Sequence, residues 1–542
     1  MQSDNDANQA VRQSEEQATA KRAGLLGLQY VDSRGWSQQV ELIKDMLSVQ
    51  DMSALHAVPV EVGGGRLVLA ITITTAQTVM RQLRERFKDL NLSFILMSDS
   101  GFRELMLRHD PPKEIKYDDI SIKSEGASDS LDDVSRTLET VRSDDILNYL
   151  IAQADKLGAS DIHLENEKDY VRLRLRIDGT LHGVARLGKD KYRQLSSSIA
   201  VKSNTSVAAP EPQTGHMVYE FAATKDSRPK TLNMRIETAP AANGQDAVIR
   251  LFSLDRELMK LDNLGLTPAH REQIEQIIQH PHGLLLVVGP TGSGKTTTLY
   301  SILDQLNVPT RKIVTLEDPV EYSFEGVTQI PVKTTEGDKS FADKLRAVLR
   351  LDPDVIMIGE IRDIDTAKTA LQAALTGHLV LSTFHGANAA AAMARMLDVI
   401  GDNPLFLNAI RMVIGQRLVR RLDEATRQAY HPDEQLLAAI NRILDSLPEG
   451  VERPSLDNLE LFKPGTSDSN PFGYSGRLMV AEQLLLTSSI QSIIQTGGTR
   501  VSVRDIEAAA HQEGMITMLQ DGAFKALSGV TTLEEVFRTV DV

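Results

Sequence analysis

Apolar residues recur along the chain with different periods, and each change of period marks a change of element. Val58, Val60 and Val62 alternate, Gly63-Gly64-Gly65 interrupts, and Leu67, Leu69 and Ile71 alternate again. Period two places successive side chains on opposite faces, so this stretch predicts a hairpin. Ala76, Val79, Met80, Leu83 and Phe87 then follow a helical spacing, and Phe94 to Met97 reads as a strand. A second helical stripe is formed by Ile146, Leu147, Leu150, Ile151, Ala154 and Leu157, with Ser143 or Asp144 placed to cap it. Ile162 and Leu164 alternate, as do Val171, Leu173, Leu175 and Ile177, which leaves Arg172, Arg174 and Arg176 together on the other strand face. That face is either solvated or meets phosphate.

Further on, the apolar residues become continuous. Leu284–Val288, Ile313–Leu316, Val355–Ile358 and Leu379–Thr383 are short unbroken runs separated by helical patterns. Strands that read as continuous apolar runs and alternate with helices predict a parallel sheet, with its chemistry at the strand C-termini. Beyond about residue 400 the pattern reads as mainly helical. No internal repeat is visible.

These periods divide the chain. Residues 1–22 are polar, acidic and rich in Gln and Ala, and are expected as a disordered tail. A small mixed domain follows over 23–110; nothing in it points to catalysis, and docking is its expected task. Residues 111–137, rich in Pro, Lys, Ser, Gly and Asp, read as a linker. A second domain spans 138–255, and a third, 263–542, carries the continuous runs.

Composition narrows the class. The net charge of −15 disfavours nucleic acid as a partner, because phosphate contacts need a basic face. The absence of cysteine excludes disulfides, thiolate zinc sites and iron–sulfur clusters. Apolar runs fall well short of the roughly 20 residues that span a bilayer, and Met1-Gln2-Ser3-Asp4-Asn5-Asp6 lacks the features of a signal peptide. The expectation is a cytoplasmic protein that meets a membrane only indirectly.

The candidate chemistry sits at the first continuous run. Gly289-Pro290-Thr291-Gly292-Ser293-Gly294-Lys295-Thr296 follows Leu284–Val288 and precedes a helical stretch from Thr297. Strand, glycine loop and helix in that order form a P-loop for a nucleoside triphosphate. Glycines let backbone N–H groups turn toward phosphate oxygens, Lys295 reaches the β- and γ-phosphates, and the Thr296 hydroxyl can ligate Mg²⁺. Glu360 ends the run Val355–Ile358, where a carboxylate can orient or deprotonate water; its bland alternative is a salt bridge to Arg362. Because Gly359 stands where such strands often carry Asp, metal contact is expected through water, with Glu317, Asp318 or Glu321 assisting. His378 and His385 flank the run Leu379–Thr383 and are read either as structural groups or as sensors of the γ-phosphate.

Several motifs in fixed order carry a family resemblance. They are Gly158-Ala-Ser-Asp-Ile-His-Leu-Glu165, Arg176-Ile-Asp-Gly179, the P-loop, Leu316-Glu-Asp-Pro-Val-Glu321, Asp352-Pro-Asp-Val-Ile-Met-Ile-Gly-Glu-Ile-Arg-Asp363, Thr376-Gly-His-Leu-Val-Leu-Ser-Thr383 and Gly514-Met-Ile-Thr-Met-Leu-Gln-Asp-Gly522. The chain closely resembles the secretion ATPases of type II secretion and type IV pilus assembly, strongly over 138–542. The resemblance implies an α/β protein: a RecA-like ATPase domain, preceded by a PAS-like α+β domain and a small N-terminal α/β domain. It also implies a homohexamer that uses ATP and Mg²⁺. Glu360 would be the catalytic glutamate, Glu317 the aspartate-box acid and His385 the histidine-box residue. Arg235 and Arg250, from the preceding domain, would reach ATP.

Two departures stand out. Many assembly motors carry a four-cysteine zinc site after the segment matching Arg417–Leu422; here that region has no cysteine, and a helix with Leu436, Leu437, Ile440, Ile443 and Leu444 is expected in its place, so no zinc is expected. Phe384 and Gly386 also stand where Leu and Thr are common beside the histidine. The resulting expectation is a motor that assembles pilin or pseudopilin subunits, docked to an inner-membrane protein through 23–110. The rival readings are a pilus-retraction motor, a non-hydrolysing regulatory subunit and, less favoured by charge, a DNA-transfer motor.

Overall fold

The continuous apolar runs become strands that are buried on both faces. In the computed structural model, Gly283–Val288 is buried throughout and pairs in parallel with Leu379–Phe384 on one side and Ile410–Leu422 on the other. The described residues are 2–109, 117, 119–120, 128–221, 230–252, 259–332, 341–401, 404–467, 470–497 and 501–540. The sheet has seven strands in the order Val327–Pro331, Ile313–Glu317, Val355–Ile358, Leu379–Phe384, Gly283–Val288, Ile410–Leu422, Tyr474–Leu485. All neighbours are parallel except the last pair. Helices cover both faces: Ile364–Leu375 and Ala389–Ile400 contribute to the apolar core on one side. Pro268–Ile278 and Lys295–Leu306 contribute to that on the other.

Among the described residues the region after 400 is richer in helix than in strand, as its pattern reads, but it is not helical throughout. It supplies two long strands, one of them beside the P-loop strand. Ile410–Leu422 buries residues on both faces, so its apolar pattern loses the alternation that would have marked it as a strand. The cysteine-free segment behaves more simply. The helix Glu434–Asp445, capped by Asp433, buries Ile440, Ile443 and Leu444 against Leu461, Ala523, Ala526 and Leu533. His431, in the same segment, has its Nδ1 3.0 Å from the carbonyl of Leu459.

A second sheet, antiparallel and PAS-like, precedes this one. Its six strands run in the order Thr180–Leu187, Val171–Ile177, Ala159–Asn166, Gly244–Phe252, Lys230–Ala241, Gln213–Phe221. Part of the expected linker belongs to it: the helix Ser128–Thr140 buries Val134 and Leu138, and the Ser135 hydroxyl accepts from Arg186 N at 2.9 Å. Ser143 does not cap the helix Ile146–Lys156; its hydroxyl donates to Gln194 instead.

Clustering of contacts divides the chain into two compact units, 1–117 and 118–542, so both sheets above lie in the second. The first unit holds a four-stranded sheet in the order Gln29–Tyr30, Asn91–Leu96, Arg66–Ile71, Ala57–Gly63. Its opening residues form the helix Gln2–Leu26 rather than a loose tail. That helix is rich in good helix formers and is docked chiefly by polar groups, which a hydrophobic pattern does not register. Glu16 is buried, accepting from Tyr30 at 2.6 Å, Ser98 at 2.7 Å and Ser33.

Candidate nucleotide site

The P-loop leaves the end of the buried strand Gly283–Val288 and enters the helix Lys295–Leu306. Two of its glycines are required for different reasons. At Gly289 a Cβ would stand 2.6 Å from both the Gln416 carbonyl and the Ser293 hydroxyl. At Gly292 a Cβ would meet nothing within 4 Å, but φ is +81°, in the left-handed region. The loop is thus tight against the protein at one end and open at the other. Lys295 folds back over it, donating to the carbonyls of Gly289 and Pro290 at 3.0 Å each. Burial pulls the Lys295 ammonium below its usual range, and the charge of Glu360 works in the opposite direction. A cation whose partners are neutral carbonyls is ready to exchange them for an anion.

The cavity beside the loop has a volume of about 990 Å³. It brings together the P-loop, Glu317, Glu360 and His385 from the parallel sheet with Arg235 and Arg250 from the antiparallel one. Glu360 follows the strand Val355–Ile358, is paired with Arg362 and lies 3.3 Å from His385 Nε2. Burial opposes its ionisation, yet Arg362 and His385 together hold its carboxyl below the usual carboxylate range. Glu360 thus pairs with Arg362 and still lines the cavity.

Glu317 is only 3% exposed. Tyr300 donates to one of its oxygens, while Thr315 at 2.5 Å and Gln329 at 3.0 Å donate to the other. Their own burial first, and the negative charge of Glu317 second, push both the Tyr300 hydroxyl and the Glu321 carboxyl upward. With both oxygens already accepting, Glu317 suits a contact to a cation through water better than a direct one.

His378 is not brought to this cavity. It precedes the strand Leu379–Phe384 whereas His385 follows it, which separates them by roughly 20 Å at the rise of a strand. Its Nδ1 lies 3.0 Å from the Ala373 carbonyl, at the end of the helix Ile364–Leu375. That is a structural position.

The two arginines have acidic neighbours. Arg235 donates to Glu237 at 2.5 Å, two residues along the same strand face. Arg250 donates to Asp161 at 2.9 Å, directly across the strand pair. Asp161 is buried and also stands 3.5 Å from Arg176, so of the three aligned arginines Arg176 reaches the cavity. Arg172 and Arg174 pair with Glu167 and Glu165.

Three contributors escaped the sequence reading. Tyr300 and Gln329 buttress Glu317, and Gln416 lies beneath the P-loop; Gln416 belongs to the strand misread as helical, which hid its position.

A RecA-like sheet with a P-loop at the C-terminal end of an interior strand, a carboxylate at the end of another and cations converging on one cavity defines the class: a P-loop ATPase. The sequence profile described as type II/IV secretion system protein matches residues 139–538, and the chain belongs to that family. It is 35% identical to the type II secretion system protein E of Xanthomonas campestris pv. campestris, over 96% of this chain and 89% of that one. It is 38% identical to the protein of the same name in Pseudomonas aeruginosa, over 72% of this chain and 74% of that one. It is 37% identical to the type IV pilus assembly ATPase PilB of Thermus thermophilus, over 72% of this chain and 43% of that one. Among solved structures, the Legionella pneumophila ATPase DotB shares the fold, with a TM-score of 0.53 at 22% identity over 74% of this chain and 96% of that one.

Proposed function

We propose that the chain is a cytoplasmic, homohexameric motor that hydrolyses ATP with Mg²⁺ to drive assembly of pilin or pseudopilin subunits at an inner membrane. One observation supports this most: Arg235 and Arg250, on one sheet, line the same cavity as the P-loop and Glu360, on another. A site completed by two sheets makes the nucleotide a link between them, which is what turns hydrolysis into movement.

In this reading the residues divide the work. Backbone N–H groups of Gly292 to Thr297 and the ammonium of Lys295 bind phosphate oxygens. The Thr296 hydroxyl, with Glu317 and Glu360 through water, would hold Mg²⁺, which would supply neutralisation of phosphate charge when bound. Glu360 orients the attacking water and accepts its proton; His385 senses the state of that carboxylate. Arg235 and Arg250 exchange Glu237 and Asp161 for phosphate, adding positive charge as it is needed in the transition state.

The relatives named for type II secretion and pilus assembly favour an assembly role over retraction. Residues 23–110 are the proposed docking segment for an inner-membrane protein, with no nucleic acid involved. Among the described residues no helix is long and apolar enough to cross a membrane. The test is steady-state ATP hydrolysis by the full chain and by Glu360→Gln, with sedimentation to determine assembly size. A full chain that binds ATP but does not hydrolyse it would favour the regulatory reading instead.

A further inference from the structure

The buried side chain of Gln416 bonds to the P-loop at Ser293 and to the helix that follows it at Thr298, and takes no part in the chemistry described above. It is 1% exposed. Its amide nitrogen donates to the Ser293 carbonyl at 2.6 Å. Its amide oxygen accepts from the Thr298 hydroxyl at 2.9 Å, and that hydroxyl also lies 3.3 Å from the Gly294 carbonyl. The pattern fixes the amide orientation, since a carbonyl needs a donor and the hydroxyl proton needs an acceptor. The backbone joins in, because the Gln416 carbonyl is the atom that a Cβ at Gly289 would strike at 2.6 Å.

Its location makes this clamp specific to the loop. Val288 is paired with Gly415, so Gln416 comes one residue later and extends under the loop just as the P-loop strand ends. The next two residues face the cavity rim: Arg417 and Leu418 both line it, and Leu418 lies 3.5 Å from where a Gly294 Cβ would be. A buried amide with both ends satisfied is costly to move, because either hydrogen bond would be lost without water to replace it. Tying the Ser293 carbonyl back keeps it from turning toward the cavity, where it would face phosphate oxygens with its own negative end.

We infer that Gln416 is a positioning residue that holds the P-loop in its phosphate-receiving shape and thereby sets affinity for the nucleotide diphosphate moiety. This rests on the nucleotide reading above. A preformed loop binds the phosphates alike in ground state, transition state and product, so loosening it removes uniform binding. Gln416→Met keeps the length of the side chain and deletes both hydrogen bonds. It should weaken ADP binding and raise KM for ATP by at least about tenfold while kcat stays within about threefold. Thr298→Val, which cuts one leg of the clamp, should shift ADP affinity in the same direction but less, and Thr298→Ser should restore it.

The measurements are ADP titration by calorimetry, KM and kcat for ATP, and melting without nucleotide, all on the full chain. ADP affinity within twofold of wild type in both Gln416→Met and Thr298→Val overturns the inference. So does a loss of kcat at constant KM, or a lower melting temperature with unchanged ADP affinity, which is what a merely structural residue would give. A wild-type chain that binds neither ADP nor ATP would instead bring down the nucleotide reading, and this inference with it.

Discussion

Glu360 shows how one side chain carries two relations at once. Its bond to Arg362 and its 3.3 Å approach to His385 keep it ionised despite partial burial. As a base it must be deprotonated, so turnover falls as pH drops through its pKa. Arg362 lowers that pKa; removing the guanidinium raises it. Arg362→Met should therefore move the acid limb of the kcat profile to higher pH, and a limb that stays in place or moves down would show that Arg362 does not act on Glu360. Glu360→Gln should retain nucleotide binding while turnover falls by about 10²–10⁴-fold, the usual contribution of a general base. Near-normal turnover would remove Glu360 from its proposed role. Lys295→Ala should abolish tight binding altogether, read by the same nucleotide titration.

At the scale of elements, the described residues of the segment 423–473 are held by packing. Helix Glu434–Asp445 seats Ile440, which is fully buried, among Ile443, Leu461 and Ala526. Ile440→Ala should destabilise the chain by about 2–5 kcal/mol, the cost of a large-to-small change in a core. A zinc-selective chelator should leave the melting temperature of the wild type unchanged. Elemental analysis with about one zinc per chain would contradict that. A second buried tie joins the helix Met518–Leu527 to the edge strand Tyr474–Leu485: Lys525 donates to Asp521 and to the Met479 carbonyl, both at 2.6 Å, and Asp521 accepts from Ala481 N at 2.8 Å. Lys525→Met leaves Asp521 buried without its counter-charge, and should cost about 3–5 kcal/mol in chemical denaturation. A loss below about 1 kcal/mol would mean that the surroundings rehydrate the carboxylate.

For the molecule as a whole, the question is whether two sheets share one chemistry. Arg235→Ala and Arg250→Ala should each lower kcat strongly with modest change in affinity, since late-acting arginines can contribute up to about 10³–10⁵ in rate. A fragment beginning near Leu261 keeps the parallel sheet but lacks both arginines, and should be close to inactive. Hydrolysis by that fragment at the full-length rate would refute the shared site. A fragment beginning at Asp118 should hydrolyse ATP much as the full chain does. The cut belongs there rather than at residue 135, because the helix Ser128–Thr140 is part of the second unit and Ile120 N donates to Gln153 at 2.8 Å.

What the sequence determined by itself was whatever depends on neighbours in the chain. The four apolar runs, the glycine loop between strand and helix, and the helix at 434–445 are local patterns, and each occurs where its period placed it. The loop also carries its own chemistry, since consecutive residues supply both the N–H groups and Lys295. The tertiary structure alone decided what depends on residues far apart. Strand Ile410–Leu422 was masked because burial on both faces erases alternation. Helix Gln2–Leu26 was read as a tail because carboxylates and hydroxyls dock it. His378 and His385 look equivalent in sequence, yet a strand carries them to opposite ends of a sheet. Arg235 and Arg250 meet Glu237 and Asp161 because an acid across a strand pair, or two positions along one face, becomes a neighbour only when the sheet forms. Gln416 is the clearest case: a polar residue more than a hundred positions from the P-loop acquires meaning only when its strand is laid beside the loop's own.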